Sequence, residues 1–325
     1  MTSAQANTSL GVVVIGRNEG ERLRRCLDSV KNSESQIVYV DSGSTDNSRA
    51  MAAEMGASVV ELDMASPFTA ARARNEGVSR LLALQPATEY IFFVDGDCEI
   101  APGWLHVSTQ YLRNHSDCAV VCGRRRERFP QQTKYNRLCD QEWDTPIGEA
   151  LQCGGDAVMR TLAFTSVNGY RGTMIAGEEP ELCLRLRQKG WSIYRLDHEM
   201  TLHDAAIERF GQWWKRSMRA GHAYAEGAWL HGSLPERHCV AETRRALLWG
   251  AGIPLMVTAL MLMWGPWWVM LLSIYPLQLL RLWWKNRSLL TAWFMLVGKF
   301  AETLGILKFH WTRIKGGAAQ IIEYK

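Results

Sequence analysis

The sequence predicts an α/β domain with a mostly parallel sheet, followed by a C-terminal helical membrane region. Three observations predict it. From residue 10 to about 205, short apolar runs rich in branched and aromatic residues alternate with helix-length stretches, the pattern of repeated βα units. Several runs stop abruptly at carboxylates, most visibly Tyr90-Ile91-Phe92-Phe93-Val94, which ends in Asp95-Gly96-Asp97. After about residue 245 the composition turns apolar, with no charged side chain in 247–264 or 267–280.

The elements follow in order. Gly11 to Ile15 reads as a strand buried on both faces, and Gly16-Arg17-Asn18-Glu19 leads into a helix through Val30. Gln36 to Val40 is a second strand, ending at the polar loop DSGSTDNS (41–48), in which Thr45 or Asp46 is a natural N-cap for a helix through Met55. Ala57 to Leu62 is a third strand, and Thr69 to Ala83 a helix carrying Arg72, Arg74 and Asn75. The fourth strand opens onto Asp95 and Asp97, where Gly96 permits a turn tight enough for both carboxylates to converge. Ala119 to Cys122 is a further strand. Glu178, Glu179 and Glu181 begin a helix around Pro180 that stops at Gly190, and Trp191 to Leu196 forms a strand that precedes His203.

Parallel strands share a direction, so Glu19, Asp41, Asp95 and Asp97 are expected along one rim, where open α/β sheets bind ligands. No GxGxxG or Walker loop cradles a phosphate here. Paired carboxylates without a glycine cradle call for a divalent cation to hold a diphosphate, and hard oxygen ligands suit Mg²⁺ or Mn²⁺. The acids at 178–181 also serve as simple helix-dipole complements, and a single histidine such as His203 is equally a structural residue.

The apolar runs 247–264 and 267–280, parted by Gly265-Pro266, predict a helical hairpin over about 247–284. The first run, as a helix, reaches roughly 27 Å, close to a hydrocarbon core of about 30 Å. Arg244 and Arg245 before it, and Arg281, Lys285 and Arg287 after it, place both outer ends on the cytoplasmic side of an inner membrane. Residues 289–313 are expected as an interfacial amphipathic helix with Lys299, Glu302, Thr303, His310 and Arg313 on its polar face. FGQWWKRSMRAGHAYAEGAW (210–229) is a helix for the headgroup plane or for the α/β domain. The expected organisation is a disordered 1–9, an α/β domain over 10–205, an amphipathic linker over 206–240 and a membrane region over 241–325. The N-terminal MTSAQANTSLG is not expected to be a signal peptide.

The net charge of +4 is not gathered into a stripe, so nucleic acid is not an expected partner. Arg124-Arg125-Arg126-Glu127-Arg128 reads as a solvated face, with a phosphate or lipid contact as the alternative. Eight cysteines without a CxxC pair point to reduced thiols in a cytoplasmic domain.

In order, VVVIGRNEGERLRRCLDSV, IVYVDSGSTDNS, ARNEGV, FFVDGD, GGDAVMR, GEEPELCLRLRQKGW and LHD resemble the inverting glycosyltransferases of family 2, which have the GT-A fold. The resemblance covers about residues 11–205. It implies that Asn18, Glu19 and Asp41 face the nucleoside of a nucleotide-diphosphate sugar donor, and that Arg74 and Asn75 lie near its sugar or diphosphate. It implies further that Asp95 touches ribose or metal, that Asp97 and His203 ligate a divalent metal, and that Glu179 is the general base. The family usually has Glu-Asp where this chain has Glu178-Glu179, which leaves Glu178 as the alternative base. Gln212-Trp213-Trp214-Lys215-Arg216 departs by one residue from the QxxRW motif of processive members, so a processive polymerase is not implied. A membrane region beside such a domain suggests a lipid-linked or glycan acceptor in cell-surface polysaccharide or glycolipid assembly. Two other readings stay open: a sugar nucleotidyltransferase, whose GxGTR-like loop is replaced here by GRNEGE, and an inactive membrane scaffold subunit, which would be expected to lack one of the acids.

Overall fold

The computed structural model describes residues 9–31, 35–317 and 321–323. The expected disordered stretch 1–9 lies, but for Ser9, outside them. The chain divides into two compact units, Met1–Thr173 with Glu178–Ala206, and Met174–Gly177 with Ile207–Lys325.

The first unit alternates strands and helices: β1 (Leu10–Gly16), α1 (Glu21–Val30), β2 (Gln36–Asp41), α2 (Ser48–Glu54), β3 (Ser58–Glu61), α3 (Ala70–Leu84), β4 (Tyr90–Asp95), β5 (Cys98–Ile100), α4 (Trp104–Asn114) and β6 (Cys118–Glu127). Then come α5 (Lys134–Glu142), β7 (Gly148–Glu149), β8 (Ala157–Arg160), α6 (Thr161–Ser166), α7 (Glu178–Gln188) and β9 (Ser192–His203). The strands form one sheet in the order β3-β2-β1-β4-β8-β6-β9-β5, with β7 on β9. β1 pairs in parallel with β2 and β4, and β2 with β3, so Gly16 lies opposite Asp41 and Ile15 opposite Asp95. That register brings the three strand ends to one rim.

The other half is mixed rather than parallel. β6 and β9 run parallel, but β8 opposes both β4 and β6, and β5 and β7 oppose β9. Two elements outrun expectation: β6 extends past Cys122 through the arginine run, and β9 continues past Leu196 to His203. Their parallel register sets Glu127 opposite His203. The helix expected from Thr45 or Asp46 starts at Ser48 with Asn47 as N-cap, and Asp46 Oδ1 accepts the Ser48 N–H (3.0 Å).

The core is laid down by the strands themselves: Val12, Val13, Val14, Val38, Tyr39, Val40, Ile91, Phe92, Phe93 and Val94 are fully buried. α3 lies directly on β1 because glycine permits it. A Cβ on Gly77 would stand 2.4 Å from the Val13 side chain. This close approach places Arg74, one turn earlier in α3, beside the end of β4.

The second unit is helical: α8 (Phe210–His231), α9 (Val240–Leu247), a π turn (Leu248–Gly252), α10 (Ile253–Trp264), a 3₁₀ stretch (Pro266–Ser273), α11 (Ile274–Asn286) and α12 (Leu289–Ile314). α8 and α12 cross on glycines. A Cβ on Gly221 would meet the Glu302 carbonyl oxygen at 2.0 Å, and one on Gly305 the Met218 carbonyl oxygen at 1.9 Å. Val240–Trp264 and Leu289–Ile314 are long and apolar enough to cross a membrane.

The second limb of the hairpin is a 3₁₀ stretch that becomes α-helical at Ile274. Of the polar residues on α12, His310 and Arg313 are exposed and Lys299 and Glu302 half-buried. Thr303 is buried, with its hydroxyl donating to the Ala246 carbonyl (2.8 Å), and Glu302 holds Lys299 (2.7 Å), while Leu304, Leu307 and Trp311 are exposed. α8 packs along α12, with Trp213 edge-on to Phe294 (4.7 Å).

Candidate active site

Loops at the C-terminal ends of β1 and β2 are tied together before any ligand is considered. Asn18 has φ +56°, a conformation asparagine tolerates better than most residues. Its N–H donates to Ser44 Oγ (2.9 Å) and its Oδ1 accepts the Thr45 N–H (2.8 Å). Asp41 is 1% exposed, and both its oxygens are used: Oδ1 accepts the Tyr39 hydroxyl (3.0 Å), and Oδ2 the N–H groups of Gly43 (3.0 Å) and Ser44 (2.8 Å). Glu19 pairs with Arg22 (2.9 Å). Asn18 and Asp41 therefore hold the loops at these strand ends in place.

Asp95 lies at the centre of a charged cluster. Its Oδ1 takes Arg74 Nη2 (2.9 Å), and its Oδ2 takes Arg125 Nη2 (3.1 Å). Arg74 also donates to Glu178 Oε1 (2.8 Å), and Arg125 Nε approaches Asp156 Oδ2 (3.2 Å). Asp156, fully buried, accepts the Asp95 N–H (3.1 Å) and the Thr201 hydroxyl (2.7 Å). Burial opposes ionisation of Asp95, but Arg74 and then Arg125 outweigh it and hold the carboxyl below its ordinary range. Burial likewise disfavours the Arg74 cation, and Asp95 and its other neighbours more than offset that, so it stays charged. Asn75 serves the frame instead: its carboxamide donates to the Tyr170 carbonyl (2.7 Å) and accepts the Tyr170 N–H (2.9 Å).

Gly96 turns the chain after β4, its N–H held by the Ile15 carbonyl (2.8 Å). Asp97 Oδ1 then lies 3.3 Å from His203 Nε2. Behind His203, Nδ1 is 3.8 Å from Glu127 Oε2, and the Trp143 ring stands edge-on to the imidazole at 4.8 Å. Glu127 is buried and fixed by the N–H groups of Phe129 (3.1 Å) and Ala205 (3.0 Å) and by Asn136 Nδ2 (3.3 Å). A carboxylate oxygen and an imidazole nitrogen facing one another, the imidazole backed by a second carboxylate, form a donor set that fits a divalent cation. The carboxylates of Asp95, Asp97, Glu127, Asp156 and Glu178 outnumber the guanidinium groups of Arg74 and Arg125, a formal excess of negative charge that such a cation would reduce.

The first turn of α7 brings in the last two acids. Glu178 is committed to Arg74, whereas Glu179, 6% exposed, accepts the Cys153 N–H (2.6 Å) and the Cys183 thiol (3.0 Å) at Oε1. Burial pushes the Glu179 carboxyl up, and these two donors only partly offset it.

Sequence reasoning gives three residues of this cluster no role. Arg125 and Glu127 lie in the basic run, expected as a solvated face. In β6 the run alternates: Arg124 and Arg126 reach Asp140, while Arg125 and Glu127 point into the cluster. The period-two spacing of 125 and 127, on a strand continuing Ala119–Cys122, is the signal that could have found them. Asp156 sits within GGDAVMR, where nothing but its neighbours in space shows its importance.

Acids along the rim of such a sheet define an α/β domain of the GT-A class, the architecture of nucleotide-sugar transferases. Residues 11–159, a little under half of the chain, match the family model described as Glycosyl transferase family 2, so this part of the chain is similar to the family 2 glycosyltransferases. It is similar to a TPR repeat-containing protein of Synechococcus elongatus (33% identical over 42% of this chain and 31% of that one). It is also similar to the succinoglycan biosynthesis protein ExoA of Rhizobium meliloti (24% identical over 59% of this chain and 62% of that one). The chain thus spans less than two thirds of the length of these relatives. In fold it matches a mannosyltransferase from Pyrobaculum calidifontis solved with GDP-Man and Mn²⁺, with a TM-score of 0.63 at 17% identity over 93% of this chain and 87% of that one.

Proposed function

We propose that the protein is a divalent-metal-dependent, inverting glycosyltransferase that moves a sugar from a nucleotide-diphosphate donor to a lipid-linked acceptor at the cytoplasmic face of the inner membrane, in polysaccharide or glycolipid assembly. The observation that supports the reading is the pairing of Asp97 with His203 just beyond β4, beside Asp95, which Arg74 ties to Glu178 at the start of α7. Asn18, Glu19 and Asp41 form the nucleoside side, and Arg74 and Arg125 hold Asp95 ionised and oriented toward ribose or metal. Asp97 and His203 would hold the cation, Mn²⁺ or Mg²⁺, which when bound neutralises charge on the diphosphate leaving group.

In this reading Glu179 takes the acceptor proton. As the acceptor oxygen forms its bond to the anomeric carbon, its proton passes to the Glu179 carboxylate and the bond to the nucleotide diphosphate breaks on the opposite side, inverting the carbon. A buried carboxylate with a raised pKa suits this, because it binds a proton more strongly than a solvated one. Glu178 is ion-paired with Arg74, whereas Glu179 accepts from an uncharged N–H and a thiol. The membrane reading is supported by the exposed apolar faces of α10 and α12.

The test is donor hydrolysis by detergent-purified protein with UDP-, GDP- and dTDP-sugars and Mn²⁺, with membrane lipid extract as acceptor source. Release of nucleotide from one donor is expected, abolished by EDTA and by Asp97→Ala. Silence across the panel with lipid present would move the assignment to an inactive subunit.

A further inference from the structure

The geometry points to a re-entrant hairpin: we infer that residues 250–274 enter the bilayer from one side, turn at Gly265-Pro266 within its hydrocarbon and leave by the same side. This rests on the membrane part of the function proposed above and goes beyond it, since length and composition alone equally permit a crossing.

The chain returns to its starting level over a short distance. Tyr275, at the start of α11, donates its hydroxyl to the Trp249 carbonyl (2.5 Å), and its ring stands edge-on to Trp249 (5.6 Å). Tyr275 also stacks on Phe300 of α12 (6.0 Å), and a Cβ on nearby Gly250 would stand 2.2 Å from Thr303. The foot of the hairpin is therefore built into the helical unit. From Trp249 to Trp264 the ascending helix covers roughly 22 Å at about 1.5 Å per residue. The descending limb has fewer residues, and its 3₁₀ form, at about 2.0 Å per residue, lets Pro266 to Tyr275 cover roughly 18 Å. Both fall short of a hydrocarbon core of about 30 Å.

The tip has nothing to offer water on a far side. Ala259 to Leu272 contains no charged residue and no side-chain hydroxyl or amide, and the indoles of Trp264, Trp267 and Trp268 flanking the turn are the most polar side chains there. Leu262 (83% exposed), Trp267 (80%) and Met270 (71%) project from the protein. A loop emerging into an aqueous compartment would carry polar residues, whereas this one stays apolar through the turn. Lipid-exposed backbone must satisfy its own hydrogen bonds, and a helical limb on either side of a single Gly-Pro step leaves few groups open. The charged residues lie beyond the foot: Arg244 and Arg245 before it, Arg281, Lys285 and Arg287 after it. The occupant of this surface is accordingly the hydrocarbon of a bilayer, entered from one side and short of the far interface.

The test uses the full chain with Cys239→Ser, which removes the one cysteine that is not buried. Single cysteines replace Pro266 or Trp267 at the tip and Glu242 or Lys285 at the flanks, in sealed membrane vesicles of both orientations. Membrane-impermeant maleimide is expected to label both flanks from the same side and the tip from neither, with tip labelling appearing once detergent is added. A nitroxide at 267 is expected to be relaxed by oxygen and not by a water-soluble nickel chelate. Tip labelling from the side opposite the flanks would overturn the inference in favour of a crossing. Tip labelling from the flank side, or release of the chain by alkaline wash, would overturn it in favour of a hairpin outside the bilayer. Neither result bears on donor hydrolysis, so the two readings fail separately.

Discussion

Arg125→Met tests the cluster at its least anticipated point. Arg125 is half of the positive charge around Asp95 and the only guanidinium given to Asp156 among the described contacts. Its removal leaves a carboxylate with no exposed surface without its charged partner, a change that typically costs about 3–5 kcal/mol. Asp156 keeps the Asp95 N–H and the Thr201 hydroxyl, and Asp95 keeps Arg74, so the lower end, about 3 kcal/mol, is expected. For a unit of this size that is roughly a 6–12 °C fall in Tm, followed by near-ultraviolet circular dichroism in detergent. Two controls sharpen it. Adding Asp156→Asn to Arg125→Met should recover part of the loss, because the orphaned charge is gone. Asp95 has a depressed folded pKa, so its pairing contributes fully above the ordinary carboxylate range and is lost as pH falls through the folded value; the gap between wild type and Arg125→Met should narrow on that descent. A fall below about 1 °C, or a double variant less stable than the two single losses added, would refute the assignment of Arg125 as an interior cation.

Other predictions follow from the same geometry. Because burial raises the Glu179 carboxyl and the Cys183 thiol opposes that rise, the acid limb of the transfer-rate profile should lie above the ordinary carboxylate range; Cys183→Ala should move it higher still and Cys183→Ser should not. Glu127→Gln should weaken Mn²⁺ binding about 10–100-fold by electron paramagnetic resonance, since the backing of His203 changes while both proposed ligands remain; unchanged affinity would remove Glu127 from the account. Gly77→Val should destabilise the first unit by about 1–3 kcal/mol and lower donor affinity, as α3 lifts from Val13 and carries Arg74 with it; a fully stable, fully binding variant would contradict the role given to that contact.

How far the molecule could be read from its sequence depended on whether physical chemistry acts locally. The runs at 11–15, 36–40 and 90–94 were legible because strands buried on both faces leave no position for a charge except their ends. That same pattern marked Glu19, Asp41, Asp95 and Asp97. Arg125 was not legible in the same way: three consecutive arginines look solvated until a neighbouring strand supplies a buried aspartate for the middle one. Asp41 and Asn75 were found as residues, but their hydrogen bonds show them holding loops, a distinction that depends on where Tyr39, Ser44 and Tyr170 lie in space. In the helical unit the burial of Thr303 was not legible, because it depends on where the Ala246 carbonyl and Gly250 lie in space.

The central claim is that the rim beyond β4 binds a nucleoside diphosphate through a divalent cation held by Asp97 and His203. Calorimetric titration of the full chain with GDP and UDP, with and without Mn²⁺, tests it most directly when repeated on Asp97→Asn. The account predicts binding of one nucleotide that requires Mn²⁺ and weakens at least about tenfold in the variant. Binding of equal strength without the metal, or unchanged in Asp97→Asn, would contradict it.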